Sequence, residues 1–311
     1  MKNPTTSPPA IRSDPKNGTT TDFDPALGAY FDGVPETADK YDEALYQPAA
    51  FARSVPDLDA VGDPDLKFYA EEGYLTVARA YGPAEIQAAI AGLVNLVSGR
   101  RPDFQQVTFE AGAREILPRI SPEERLDYVR KLNAFVEFEP ALKAMAYHPK
   151  LLQVVRRMIG ENDIVLFSNF ALLKPPKLGR EKPWHQDNAY FGFPPGTRVV
   201  GVWVALDEAT VANGCMQLLP ELRKRGANLH FKRRDWQICD KEVLGCRSVA
   251  APLQPGGLLF FDGMLPHGTP ENRTQSRRRA VQFHFVAASA RKGSEEERLK
   301  TFGSEGKNVS C

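Results

Sequence analysis

An α+β fold, helical first and a double-sheet jelly roll after, is what this sequence of 311 residues predicts. Three observations predict it. Up to Gly160 apolar residues recur at helical spacing between capping signals. Beyond Gly160 short β-rich runs take over, separated by Pro and Gly turns. Hydrophobic residues make up 42%, enough for one sizeable core, and single β-rich domains often reach this length. Helices followed by many short strands pack as one layered domain, with the helices outside two facing sheets.

Residues 1–35 are polar and rich in Pro, Thr and Asn, too poor in apolar groups to offset the entropy of ordering, so a disordered, dispensable tail is expected there. Residues 36–311 then form a single domain, with a helical part over 66–160 and a jelly-roll core over 161–290. Tyr41 to about Leu58 reads as mixed, with a short helix on the domain surface. Tyr74–Tyr81 has strand character, and Pro83 opens a helix whose apolar face is Ile86, Ile90, Leu93 and Val97. Ser121-Pro122-Glu123-Glu124 carries a capping box and predicts a helix running to about Lys131. Helices over 139–147 and 149–159 follow, stopped by Gly160. Strands are expected over 164–174, 199–207, 214–219, 248–253, 257–262 and 279–287. Turns fall at Pro175-Pro176, Pro194-Pro195-Gly196, Asn213-Gly214 and Pro255-Gly256-Gly257.

Lys+Arg 40 against Asp+Glu 39 leaves a net charge of only +1, which gives no field for drawing in nucleic acid or an anionic membrane. The N-terminus has neither a signal-peptide core nor a transit-peptide composition, and no apolar run approaches the ~20 residues that span a bilayer. A cytoplasmic monomer or homodimer acting on a small molecule is expected. The four cysteines show no CxxC pair and read as reduced thiols.

The informative stretch is Trp184-His185-Gln186-Asp187-Asn188. On an extended segment His185 and Asp187 would point the same way, since strand side chains alternate. A third ligand, His267, follows the hydrophobic strand Leu258–Phe261, and two His with one carboxylate leave open positions on Fe(II). H-x-D alone is weak evidence and often sits on a surface by chance. Arg278, eleven residues after His267 at the start of a strand, strengthens it, because its guanidinium can clamp a carboxylate two-pronged. Alternation turns Arg277 and Arg279 to the other face.

These motifs, together with GYLTV, NGCMQLLP at 213–220, PGGLLFF at 255–261 and HGTPENRTQSRRR at 267–279, resemble the phytanoyl-CoA dioxygenase-like branch of the Fe(II)/2-oxoglutarate oxygenases over about residues 66–286. The resemblance implies a double-stranded β-helix of cupin-like form with helices on one side. It implies iron on His185, Asp187 and His267, and Arg278 on the far carboxylate of 2-oxoglutarate, assisted by Thr269. Gln186, Trp203 and Lys131 would line the cosubstrate pocket. The implied reaction consumes O₂ and 2-oxoglutarate, releases succinate and CO₂, and hydroxylates a small organic substrate such as an acyl-CoA or a secondary metabolite. The sequence departs from the family in reading LPELRKRG after NGC and Gly257 where Asp is usual, both in loops.

Two rivals use the same residues: a zinc hydrolase on the two-His, one-carboxylate site, and a jelly roll that only binds a ligand. Phe167, Asn169, Asn188, Tyr190, Phe191 and His284 are substrate-pocket candidates, each with ordinary core packing as the plain alternative. His148 reads as a capping residue. His230 sits in a basic loop (Arg223, Lys224, Arg225, Lys232, Arg233, Arg234) that is solvated by default, with an anionic substrate such as a CoA ester as the alternative.

Overall fold

The computed structural model describes residues 21–24, 27, 29–32, 40–122 and 124–303. Its early strands are β1 (Thr21–Asp24), β2 (Ala29–Asp32), β3 (Ala50–Phe51), β4 (Ser54–Asp57), β5 (Tyr74–Arg79), β6 (Val107–Phe109) and β7 (Val129–Asn133). The middle of the chain adds β8 (Ile164–Lys174), β9 (Lys182–His185), β10 (Val200–Ala205), β11 (Met216–Leu218), β12 (His230–Lys232) and β13 (Trp236–Ile238). Then come β14 (Val249–Ala251), β15 (Leu258–Asp262), β16 (His267–Thr269) and β17 (Arg278–Ala287). The helices are α1 (Asp63–Glu72), α2 (Pro83–Val97), α3 (Pro140–Ala146), α4 (Pro149–Ile159), α5 (Asn188–Phe191), α6 (Pro220–Arg223), α7 (Asp240–Leu244) and α8 (Glu295–Phe302).

A ten-stranded sheet runs β1-β2-β6-β7-β8-β17-β10-β15-β5-β4, and a five-stranded one runs β3-β14-β11-β16-β9. Alternation along the central strands explains how they pack. Val200, Val202 and Val204, with Val281, Phe283 and Phe285, turn to one face and bury against α2, α3 and α4 through Leu93, Leu142, Leu151 and Val155. The intervening Trp203, Leu259, Phe261 and Ala280 turn to the other face and pack on Met216, Leu218, Ala250 and Ala251 of the second sheet. The molecule is therefore three layers, with helices outside, a large sheet in the middle and a small sheet opposite.

Local signals explain most boundaries. Glu85 accepts from the Gly82 amide at 2.8 Å to start α2, and Gly160 ends α4 at φ +81°, where a side chain would be strained. The Ser121 capping box forms, its amide donating to Glu124 at 2.8 Å. The expected helix does not follow. A 3₁₀ turn over Glu124–Tyr128 gives way to β7, because Val129 and Leu132 bury completely once β7 fills the gap between β6 and β8.

Three other expectations are corrected. Residues 1–20 lie outside the described residues, but β1 and β2 form a hairpin within the stretch expected to be disordered. The short run from Phe23 to Phe31 is apolar enough when a sheet edge supplies its backbone partners: β2 pairs with β6, and Phe31 is 1% exposed. In Tyr41–Leu58 the expected short helix is present, as a 3₁₀ turn over Glu43–Tyr46, but its packing is deeper than a surface position. Tyr46 is buried, stacks on Trp184 at 5.4 Å and donates to Glu181 at 2.7 Å. Cys215 and Cys246 are free thiols as expected, whereas Cys239 is disulfide-bonded. No helix among the described residues is long and apolar enough to cross a membrane.

Candidate metal centre

β9 and β16 pair antiparallel with His185 opposite His267, so two imidazoles far apart in sequence become cross-strand neighbours, with ring centroids 4.3 Å apart. Each ring is oriented by its own backbone. His185 Nδ1 meets the Pro183 carbonyl at 2.8 Å, and His267 Nδ1 meets that of Leu265 at 2.9 Å. A carbonyl only accepts, so the proton sits on Nδ1 and each Nε2 lone pair faces inward.

Asp187 arrives by a different route from the one its spacing suggests. β9 ends at His185, and Asp187 is helical (φ −62°, ψ −35°) at the head of α5. A turn, not strand alternation, brings it back, placing Oδ1 3.5 Å from His185 Nε2 and 3.7 Å from His267 Nε2. The three donor atoms lie within 4.8 Å of one another, and all three residues are buried. Burial alone would raise the Asp187 carboxyl, but the facing His267 and His284, with the hydrogen bond from His284, outweigh it, holding the group well below its usual range. Burial pushes His267 down to about 3. An ionised carboxylate beside a neutral imidazole is the protonation a divalent metal requires.

The turn itself is fixed by buried polar groups. The Gln186 amide donates to His230 Nε2 at 3.0 Å, and the Gln186 side chain donates to Gly226 and Met264 and accepts from Asn228. All the side-chain polar atoms of Gln186 thus help to shape the turn. His230, expected to be solvated, is fully buried and driven down to about 3 by desolvation, leaving its neutral ring free to accept. In the basic loop all but Lys232 are ion-paired among the described residues. Arg223 pairs with Asp262, Lys224 with Glu72, Arg225 with Glu242, Arg233 with Asp240, and Arg234 with Glu181 and Asp240.

On β17 the residues Arg278, Ala280, Gln282 and His284 share the face turned toward the second sheet, by period-two alternation. His284 Nε2 lies 2.7 Å and Gln282 Nε2 3.3 Å from Asp187 Oδ2. Gln282 was not among the residues singled out in the sequence, although its parity with Arg278 marks it. Arg278 is 2% exposed, with its guanidinium 5.3 Å from the Trp203 ring and a single long hydrogen bond, 3.4 Å, to the Leu172 carbonyl. Among the described residues its Nε and the Trp203 Nε1 are buried without partners, and burial pushes Arg278 down to about 10. Arg279 instead grips Asp207 with Nε and Nη2, and Arg277 pairs with Asp127 at the surface. Lys131 lies on β7, not at a helix end, with its ammonium 3.9 Å from the Phe170 ring centre. Thr269 is buried on β16, two residues past His267.

Of the substrate candidates, Asn169 is committed elsewhere, accepting from the Phe135 and Val136 amides at 2.7 and 3.2 Å. Asn188 is fully buried and adjoins Gly263. Tyr190 flanks His185, 5.5 Å between ring centres, while its hydroxyl donates to the Trp236 carbonyl. Phe167 and Phe191 are partly exposed, 5.0 Å apart, beside His284.

The family model described as phytanoyl-CoA dioxygenase matches residues 69–280, more than half of the chain and all of the metal centre. The chain belongs to the phytanoyl-CoA dioxygenase family. As a member of that family it is a 2-oxoglutarate-dependent dioxygenase with iron as its metal. It is 25% identical to the peroxisomal phytanoyl-CoA dioxygenase of Homo sapiens over 291 residues, covering 85% of this chain and 80% of the human one. A probable phytanoyl-CoA dioxygenase of Caenorhabditis elegans is 29% identical over 172 residues, covering 51% of this chain and 54% of the other. Among solved structures, EctD from S. alaskensis with 2-oxoglutarate and 5-hydroxyectoine superposes with TM-score 0.60 at 21% identity, over 83% of this chain and 85% of that one. The carbocyclase SnoK from nogalamycin biosynthesis gives TM-score 0.60 at 18% identity, over 83% and 97%. These likenesses are of fold.

Proposed function

We propose that this family member binds Fe(II) through His185, Asp187 and His267 and hydroxylates a small organic substrate, on two packed sheets that form a double-stranded β-helix. Arg278 holds the far carboxylate of 2-oxoglutarate, with Thr269, Trp203 and Lys131 around it. One observation carries the reading: among the described residues Arg278 is buried without a carboxylate, on the strand face that also grips Asp187. A buried guanidinium left this way is costly, and a dicarboxylate cosubstrate supplies what is missing. A zinc hydrolase has no need of such a clamp. When bound, iron and 2-oxoglutarate supply an oxidation that consumes O₂ and leaves succinate and CO₂. The protein's part is to orient the ligands, exclude water and present the substrate between Phe167, Tyr190 and Phe191. Five of the six basic residues of that loop are already ion-paired, which gives a CoA ester little support, so an apolar-faced small molecule is the substrate class proposed.

Anaerobic addition of Fe(II) and 2-oxoglutarate should give a visible metal-to-ligand charge-transfer band, absent from the His185→Ala/Asp187→Ala double variant. An iron-loaded sample without the band, or a band in the double variant, would sink the proposal.

Lys131 adds a pH dependence. Burial, with Lys182 nearby, lowers it from its ordinary value to about 8, so it is charged below that pH and neutral above. Cosubstrate affinity should therefore fall as pH rises from 7 to 9, by at most about tenfold per pH unit for one linked proton. Lys131→Met should weaken binding at pH 7 and flatten the profile. An unchanged slope in that variant would remove Lys131 from the site.

A further inference from the structure

We infer that His284 is a positioning residue whose Nε2–H holds Asp187 Oδ2 and so commits the carboxylate to present a single oxygen, Oδ1, to the metal. The inference rests on the proposed reading of Asp187 as an iron ligand and goes beyond it by assigning a residue that is not itself a ligand.

The two carboxylate oxygens of Asp187 sit in different surroundings. Oδ1 faces the Nε2 atoms of His185 and His267 at 3.5 and 3.7 Å. Oδ2 lies 2.7 Å from His284 Nε2 and 3.3 Å from Gln282 Nε2. A carboxylate oxygen accepts, so the 2.7 Å contact is made by a His284 Nε2–H, and Gln282 Nε2 lies 3.0 Å from the same ring nitrogen. Among the described residues the opposite nitrogen, His284 Nδ1, is buried without a partner. The ring gives up that polar contact and secures the short one to Oδ2.

The ring cannot easily turn to do otherwise. His284 is 0% exposed, and four aromatic rings surround it: Phe191 at 4.6 Å between centres, Phe170 at 5.7 Å, and Phe167 and Phe261 each at 6.0 Å. The backbone is arranged for this packing. β17 and β8 change register between His284 and Phe285, which leaves Phe167 as an extra residue on β8, a bulge that re-aims it against the histidine. Across from His284 on β10 stands Gly201, where a Cβ would collide with the Phe261 ring.

A carboxylate with both oxygens free can bind a metal through two atoms. Tying Oδ2 to His284 keeps that second oxygen off the metal, so that positions remain open for a bidentate cosubstrate and O₂.

The test uses the full chain and metal binding rather than turnover. Co(II) is titrated anaerobically into wild type, His284→Leu, His284→Gln and His284→Asn, with Kd and the visible ligand-field spectrum recorded. Melting temperature and near-ultraviolet circular dichroism report on folding. His284→Leu should bind about 10- to 100-fold more weakly, the usual effect of removing a group that orients a ligand, with an altered spectrum. His284→Gln carries an amide N–H near the place of Nε2 and should recover most of the affinity and the spectrum. His284→Asn carries it near Nδ1 and should not, so the two amides give the answer even if the leucine variant fails to fold. Wild-type affinity and spectrum in folded His284→Leu, or equal behaviour of the two amides, would overturn the inference while leaving the metal reading intact. A wild type that binds no metal would take down both.

Discussion

Arg278→Ala is expected to weaken 2-oxoglutarate binding by roughly 2–5 kcal/mol, the usual loss when one side of a buried charge pair is removed. The geometry makes the arginine row a controlled experiment. Arg278 is buried on the site face with unpaired donors, so its removal takes away the cosubstrate's partner and little else. Metal affinity should stay near wild type, since Arg278 touches none of the three ligands. Arg277 makes an exposed pair with Asp127, so Arg277→Ala should cost at most about 1 kcal/mol of stability. Arg279 binds Asp207 two-pronged, so its alanine variant should lose stability but keep cosubstrate affinity. Isothermal titration of 2-oxoglutarate into the three variants, with an inert divalent metal bound, reads all of this. Sensitivity at Arg277 or Arg279 would show that the opposite face of β17 serves the site. Indifference at all three would return the hydrolase to contention.

Phe31→Ala should destabilise the fold by about 3–5 kcal/mol, the range for a buried phenylalanine, although the composition of its neighbourhood reads as dispensable. Phe31 is 1% exposed and packs on Phe109, ring centres 6.0 Å apart, with the Arg114 guanidinium 4.4 Å from its ring centre. The next residue, Asp32, pairs with Arg130 at 2.7 Å and with Arg180. Arg130 also donates to the Glu181 carbonyl, one residue before β9, so the hairpin braces the strand that ends in His185. Removing residues through Asp32 should therefore lower both the urea midpoint and metal affinity. A truncated protein with an unchanged midpoint would show that the hairpin adds nothing.

Where side-chain chemistry is local, the sequence was legible. Strand 164–174 and helices α2 and α4 lie where alternation, helical spacing and capping residues put them, because each bears its own signal. β7 was not legible, since its strand state comes from the partners on either side and overrides a well-formed capping box. The same holds at the metal centre. His185 and Asp187 were marked by their spacing, but for a reason the turn at Gln186 replaces. That turn depends on His230 and on the 226–228 backbone, about 40 residues away, which no local pattern reveals. Arg278 and His284 shared a legible parity; that His284 meets Asp187 depends on how α5 packs, which the parity does not encode.

β17 lies between β8 and β10 in the large sheet, though it follows both in sequence. During synthesis β8 and β10 must wait, each with an unpaired edge, until the strand that joins them has been made. Joining them closes loops of roughly 100 residues to β8 and roughly 75 to β10, which slows folding and prolongs exposure of those edges. The same strand brings Arg278, Gln282 and His284. Metal capture is thereby timed: a nascent chain can pair β9 with β16 and bring two histidines together, yet it gains the residues that steady Asp187 only when the sheet closes.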